Sequence, residues 1–359
     1  MENSKTKRYR LAIAILVFAL CMAAAHALAA NATTVYVNGA ELTSATPYWE
    51  NGGGSGSATE PVGGWNAYFD TSTAIPTLKL DGAVINSPYI SENYRYLIHA
   101  DGDIILTLTG SSTLSYSGNA SRSLMGIHTS DDLVIAEAAG ETGSLTVNIT
   151  NTNDGYGTAY GIHADYDLTI ESGTVNINTN SMYLAYSISA TRFYMTAGSV
   201  AATASAPDEG TALRFCDAYI TGGEGRFESV NDYGLAWFAD GHDFSVTGGH
   251  MIFSSANNAA LYFATHNSVL PDSSVPIWVS TDSGGAGKAV WDSSIGRLAS
   301  NYNGYSGYKY VEFSETGVVS PQIPQTGDAQ TPWLWLCAGL IALLGAAGTT
   351  MLLRRKRRA

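Results

Sequence analysis

Carboxylates recur along the middle of this chain in a pattern that could do chemistry. Asp101 and Asp103, Asp131 and Asp132, Asp165 and Asp167, Asp217, and Asp240 with Asp243 fall at related places in successive short segments. Two carboxylates at a defined separation can serve as acid and base on a polysaccharide. Hard oxygen ligands of the same kind take calcium. The pair to which either role would fall is Asp165 and Asp167. No Lys or Arg stands beside that pair in the sequence, and Asp is also what a tight turn selects for local backbone hydrogen bonding. No catalytic residue and no resident cofactor are therefore assigned; calcium is the ion these turns would take.

Three other groupings bear on chemistry. His99, His128 and His163 follow the same apolar residue type in three successive segments. Stacked on one face they would form an imidazole column open to protons or metal. A straight column diverges where zinc wants converging ligands, so the expectation is a surface ladder and no metal site. Trp237 and Tyr262 fall at matching places in two later segments and would make a flat aromatic pair suited to the apolar face of a sugar ring. Cys216 is the one cysteine between the terminal segments, since Cys21 and Cys337 lie within them. No internal disulfide is available, and no Cys-His grouping marks it as a nucleophile. Nor is there a nucleophile elbow or phosphate loop.

These residues share positions because the chain between residues 96 and 274 repeats. Ile98-His99-Ala100, Ile127-His128-Thr129 and Ile162-His163-Ala164 open the series. It continues as Ile188-Ser189-Ala190, Phe215-Cys216-Asp217, Phe238-Ala239-Asp240 and Phe263-Ala264-Thr265. The leading apolar residues are spaced by 29, 35, 26, 27, 23 and 25 residues. A second alternating strand follows in most units: Ile104/Leu106, Leu133/Ile135, Leu168/Ile170, Phe193/Met195, Ala218/Ile220 and Phe244/Val246. A Gly-containing turn, with Gly143, Gly173, Gly198, Gly225 or Gly249, leads to a third strand. The third strands carry Leu145/Val147, Val175/Ile177, Val200/Ala202, Phe227 and Met251/Phe253. Period-2 alternation marks half-buried strands. Three short strands per unit, in fixed order but elastic length, are what a parallel β-helix requires, each unit burying the inner face of the next.

The expected fold is all-β: a right-handed parallel β-helix of about seven rungs, capped at both ends because exposed rung edges invite pairing with other chains. Residues 30–95 supply the first cap, with Val35-Tyr36-Val37 leading into an Asn38-Gly39 turn and Trp49, Trp65, Tyr48 and Tyr68 clustered nearby. Residues 275–316 supply the second, through Val275–Ser280 and Tyr308–Phe313. In the first strand of each repeat unit the leading apolar residue points inward, and the residues before and after it point out.

The ends of the chain give its address. Lys5, Lys7, Arg8 and Arg10 precede an apolar stretch from Leu11 to Ala24, and Ala27-Leu28-Ala29 offers small residues for cleavage. Residues 1–29 thus read as a secretory signal peptide. At the other end, residues 317–332 form a linker containing Ile323-Pro324-Gln325-Thr326-Gly327. An uncharged apolar run over residues 333–353 follows, long enough to cross a bilayer. Residues 354–359 carry five basic side chains that should stay in the cytoplasm. This order resembles the cell-wall sorting signal of Gram-positive surface proteins of the LPXTG type, with Ile323 where the usual motif has Leu. The resemblance implies that a sortase, through its Cys nucleophile, cuts between Thr326 and Gly327 and joins Thr326 to the peptidoglycan cross-bridge. The repeat resembles β-helical surface proteins of the same bacteria, some described as carbohydrate-binding-domain proteins.

Between residues 30 and 326, nine Lys and Arg face 29 Asp and Glu, a net charge near −20. Such a surface repels nucleic acid. The expected function is structural or adhesive display from the cell wall, with sortase, peptidoglycan and a glycan or host-surface ligand as partners. The alternative is a wall-anchored polysaccharide lyase or glycoside hydrolase.

Overall fold

In each segment, alternating apolar residues give a strand one inward face, and a polar turn sends the chain round to the next strand. A single coil of this kind leaves its backbone donors and its apolar face unpaired; stacking satisfies both. The computed structural model describes residues 31–236, 243–263, 272–301 and 307–314, and it is a β-solenoid of about six turns. Among the described residues there is no helix. The signal-peptide segment, the sorting pentapeptide, the apolar run and the basic tail lie outside the described residues, as do Trp237, Phe238, Ala264 and Thr265.

Three sheets run the length of the stack. The first holds Tyr94–Ala100, Ser123–Thr129, Thr158–Ala164, Leu184–Ser189, Glu209–Arg214, Leu235–Ala236 and Leu261–Phe263, each parallel to the next. The 15-residue strand Ile104–Gly118 serves the second sheet with its first half and the third sheet with its second. Parallel pairing begins before residue 96: Thr77–Asp81 and Val84–Ile85 already stack on that long strand.

Every inward pair expected in the second and third strands is in register. Leu133 stands opposite Ile104 and Leu168, and Ile135 opposite Leu106 and Ile170, with Phe193/Met195, Ala218/Ile220 and Phe244/Val246 continuing the two columns. Leu145, Val175, Val200 and Met251 align in the third sheet, as do Val147, Ile177, Ala202, Phe227 and Phe253. All of these side chains are buried in one continuous core. From Phe193 onward single phenylalanines enter these columns: Phe227 stacks on Phe253 at 5.2 Å and meets Phe193 edge-on at 6.3 Å.

The turn glycine of coil five is Gly223, with φ +84°, not Gly225. Gly225 instead sits inward between Val200 and Met251, where a Cβ would press on the ring of Phe227.

The first-strand column departs from expectation in its later coils. Ile98, Ile127, Ile162 and Ile188 align, but the column continues as Leu213, Leu235 and Leu261 rather than Phe215, Phe238 and Phe263. Phe215 lies two residues further along, also buried, at the level of Ala190. Because strand periodicity is two, an apolar residue two places on fits the same pattern, and only cross-strand pairing decides between them. The residue before the column is also inward, not outward. Leu97 and Ile98 are both core residues, and a Cβ on Gly126 or Gly161 would meet core side chains of the third sheet. Two successive inward positions bend the strand there.

Both ends are covered by antiparallel strands. Val35–Val37 pairs with Tyr94–Ala100 and turns through Asn38 and Gly39, both at positive φ as a two-residue hairpin requires, into Ala40–Leu42. Trp49 is buried beneath that cap. At the far end Tyr310–Ser314 lies antiparallel to His250–Ser255 and to Ile277–Ser280. Glu312 is buried there and accepts from Lys288 Nζ at 2.5 Å, Tyr310 Oη at 2.6 Å and His250 Nε2 at 3.0 Å. Pro276, which lacks a donor, immediately precedes its strand.

Candidate functional site

The outer face of the first sheet carries two aromatic columns. One is Tyr96, Met125, Tyr160, Tyr186 and Thr211, and the other is His99, His128, His163, Ser189 and Arg214. The cap strand extends the second column with Tyr36, which stands opposite His99 and stacks on Tyr89 at 3.8 Å. Contacts run across the columns as well as along them. Tyr96 stacks on His99 at 4.6 Å, Tyr160 lies 4.8 Å from His163, and Tyr160 and Tyr186 are 5.3 Å apart. The guanidinium of Arg214 sits over the Tyr186 ring at 4.8 Å. Burial pushes the Tyr96 hydroxyl up to about 12 and raises those of Tyr160 and Tyr186. These phenols stay neutral and keep their donor.

The three histidines form the expected column, but it is not straight. His99 and His128 have ring centroids 5.1 Å apart at 21°, and His128 and His163 5.5 Å apart at 31°. The Nδ1 atoms of His99 and His128 are 2.9 Å apart, so one ring donates to the other. Burial, aided by the neighbouring His128, pulls His99 down to about 4 and keeps it neutral near pH 7. His163 Nδ1 lies 3.2 Å from the carbonyl of Ser189. Asp165, from the turn that follows, reaches back to the rings: its Oδ1 is 3.5 Å from His128 Nε2 and 3.1 Å from His163 Nε2. The imidazoles of His128 and His163 hold its carboxyl well below the usual range.

Asp165 and Asp167, read together from the sequence, have different partners. Asp167 is buried and its Oδ1 meets Arg192 Nε at 2.5 Å. A basic residue therefore does accompany the pair, supplied by the next coil at the position stacked on Asp167. The other acidic turns mostly knit coil to coil. Asp132 N–H donates to Asp103 Oδ1 at 3.0 Å, Asp167 N–H to Asp132 Oδ1 at 2.9 Å, and Asp243 N–H to Asp217 Oδ1 at 2.8 Å. Asp101 Oδ1 accepts from the backbone of Thr33 and Thr34 and ties down the N-terminal cap. These bonds run between coils and to the cap, 26 to 68 residues apart in sequence, rather than within a turn.

Tyr262 stands opposite Ala236 and stacks on Tyr233, ring centroids 4.5 Å apart. It belongs to the histidine column, in line with Arg214, not to the column that precedes it. Trp237, its expected partner, lies outside the described residues. The tyrosine column was missed by the sequence reading, although Tyr96, Tyr160 and Tyr186 each stand two residues before a column isoleucine.

Beside the aromatic face is a cleft of about 270 Å³ lined by Tyr160, His163, Asp165, Ser189, Arg214 and Cys216, among others. Burial raises the Cys216 thiol, with Asp217 adding to the shift, so it is not an activated thiolate.

Comparison with known proteins finds an anchor motif at the C-terminus. Residues 319–359 match the family described as the LPXTG cell wall anchor motif. No curated protein and no solved structure matches the chain. The motif spans the pentapeptide, the apolar run and the basic tail, and it means sortase processing, secretion and covalent attachment to peptidoglycan.

Proposed function

For a chain that carries a cell wall anchor motif on a β-solenoid, we propose the role of a display stalk whose first-sheet face binds a glycan of a host or bacterial surface. The cleft supports this reading. Tyr160 lines it together with the polar residues Asp165, Ser189, Thr191 and Arg214. A pyranose has an apolar face and a rim of hydroxyls, and sites that hold one combine aromatic surface with a few polar groups. Binding is favoured over cleavage because the two candidate carboxylates are not directed at one substrate. Asp165 is engaged by two imidazoles and Asp167 by Arg192, whereas glycosidic cleavage needs both carboxyls across one bond.

The test is a glycan array probed with the full-length chain. Tyr160→Ala should abolish the signal, and Tyr194→Ala, on the outer face of the second sheet, should leave it intact. An array silent for the unaltered protein sinks the reading. Release of reducing ends or unsaturated products from a polysaccharide panel, lost in Asp165→Asn, would make the protein a hydrolase or lyase instead.

A further inference from the structure

We propose that His128, His163 and Asp165 form a binding site for a divalent metal ion of the zinc class. The inference is independent of the glycan reading and rests on three observations. The first is convergence. One donor atom from each residue lies within 4.8 Å of the other two. Zinc bonds of about 2.0–2.1 Å in tetrahedral arrangement put neighbouring ligand atoms roughly 3.3 Å apart. Two of the three edges here measure 3.1 and 3.5 Å. An ion therefore fits between these atoms with adjustments of a few tenths of an ångström on those edges.

The second observation concerns hydrogens. A carbonyl oxygen only accepts, so the 3.2 Å contact from His163 Nδ1 to Ser189 O places the ring proton on Nδ1. A ring that carries its proton only there points the Nε2 lone pair at a carboxylate oxygen 3.1 Å away. A cation between Nε2 and the carboxylate oxygen would be held by both, taking the place of the proton through which the imidazole otherwise holds Asp165. The third observation is outer-shell support. Metal-binding imidazoles characteristically donate their other N–H to a fixed acceptor, which orients the ring. His163 has the Ser189 carbonyl for this, and His128 has His99 Nδ1 at 2.9 Å. His99 is thus a positioning residue.

The donor set, two imidazole nitrogens and one carboxylate oxygen, suits zinc, cobalt, nickel or copper and not calcium, which takes six to eight oxygens. Three protein ligands leave a fourth tetrahedral position for water or for an oxygen of a ligand, as in open zinc sites. His163 and Asp165 also line the cleft described above, from which such a ligand would enter.

Titration of the full-length chain, without a histidine tag, with cobalt(II) gives a direct readout. Tetrahedral cobalt absorbs strongly in the visible, and zinc should displace it with a stoichiometry of one. His163→Gln and Asp165→Asn should each weaken zinc binding about tenfold or more. The Asp165 side chain is 45% exposed, so its Asn variant is expected to fold. His250→Ala, which alters a histidine bonded to Glu312, should leave the affinity unchanged. Two results overturn the proposal. One is the absence of tetrahedral cobalt absorption at excess metal in the unaltered protein. The other is a His163 ring protonated at both nitrogens in zinc-saturated buffer, seen by nitrogen NMR, which would make its contact with Asp165 an ion pair.

Discussion

Phe313 closes the far end of the core, and replacing it by Ala tests how that end is held. The ring is fully buried. It lies edge-on to Phe244 at 5.6 Å and to Phe253 at 6.0 Å, and its backbone stands opposite Met251 and Ile277. Truncation to Ala removes most of a side chain that buries on the order of 150–250 Å². At about 25 cal/mol/Å² that is roughly 4 kcal/mol, and the two edge-to-face contacts would add to it. Partial collapse of neighbours would return some of this, so the expected loss is about 3–5 kcal/mol. The distribution of the loss is as informative as its size. In a stacked repeat each coil touches only its neighbours, so damage at one end should stay near that end. Hydrogen exchange should therefore accelerate first in His250–Ser255 and Glu224–Ser229, the strands nearest the cap, while Ser123–Thr129 keeps its protection. Urea unfolding gives the total and exchange mass spectrometry the pattern. A loss below about 1 kcal/mol would refute the packing argument. Protection lost equally in Ser123–Thr129 would refute the nearest-neighbour argument.

Gly161→Ala places a methyl group against Ile177 Cγ2 and the Ser187 carbonyl at the bend of the first strand. It should destabilise by about 1–3 kcal/mol in a denaturant melt; an unchanged midpoint would mean the bend is not as tight as it looks. Asp232 is buried, and burial together with the Glu209 carboxylate pushes its carboxyl up to about 7. The folded state therefore holds a proton that the unfolded chain releases near pH 4. This contribution to stability is present below about pH 4, falls as pH rises to about 7, and is flat above that, with a span of roughly 2–4 kcal/mol. Asp232→Asn should remove that slope from urea midpoints measured between pH 4.5 and 7.5; a slope identical to that of the unaltered protein would show that Asp232 is not its source. Thr326→Ala should block transfer to peptidoglycan, shifting the protein from the fraction released only by wall digestion to the membrane or medium. Undiminished covalent attachment would move the cleavage site elsewhere.

Much of the stack was legible because it rests on local periodicity. Leu133/Ile135 and Leu168/Ile170 alternate with polar neighbours, and that alternation needs no partner to be read. The slip at Phe215 shows where local pattern stops. Leu213 and Phe215 are both apolar and both inward, so the sequence carries two equivalent registers two residues apart. A second clue was available: Leu213 stands five residues before Ala218, as Ile188 stands five before Phe193, and that spacing favours Leu213. The inward turn of Leu97, Gly126, Gly161 and Ser187 had no such clue, because two adjacent buried positions contradict simple alternation.

The sequence by itself determined the wall anchor, the all-β class, and the inward columns of the second and third strands. Each depends on residues near one another in the chain: a pentapeptide before an apolar run, or every second residue in a short strand. Tertiary structure alone decided what meets on the outer face. Asp165 joins His163 from two residues away and His128 from 37 residues away, and Arg192 reaches Asp167 across one coil. Coil lengths vary, so sequence distance does not say which side chains lie one above another. Hydrogen bonds between neighbouring strands set that register, and register chooses the partners.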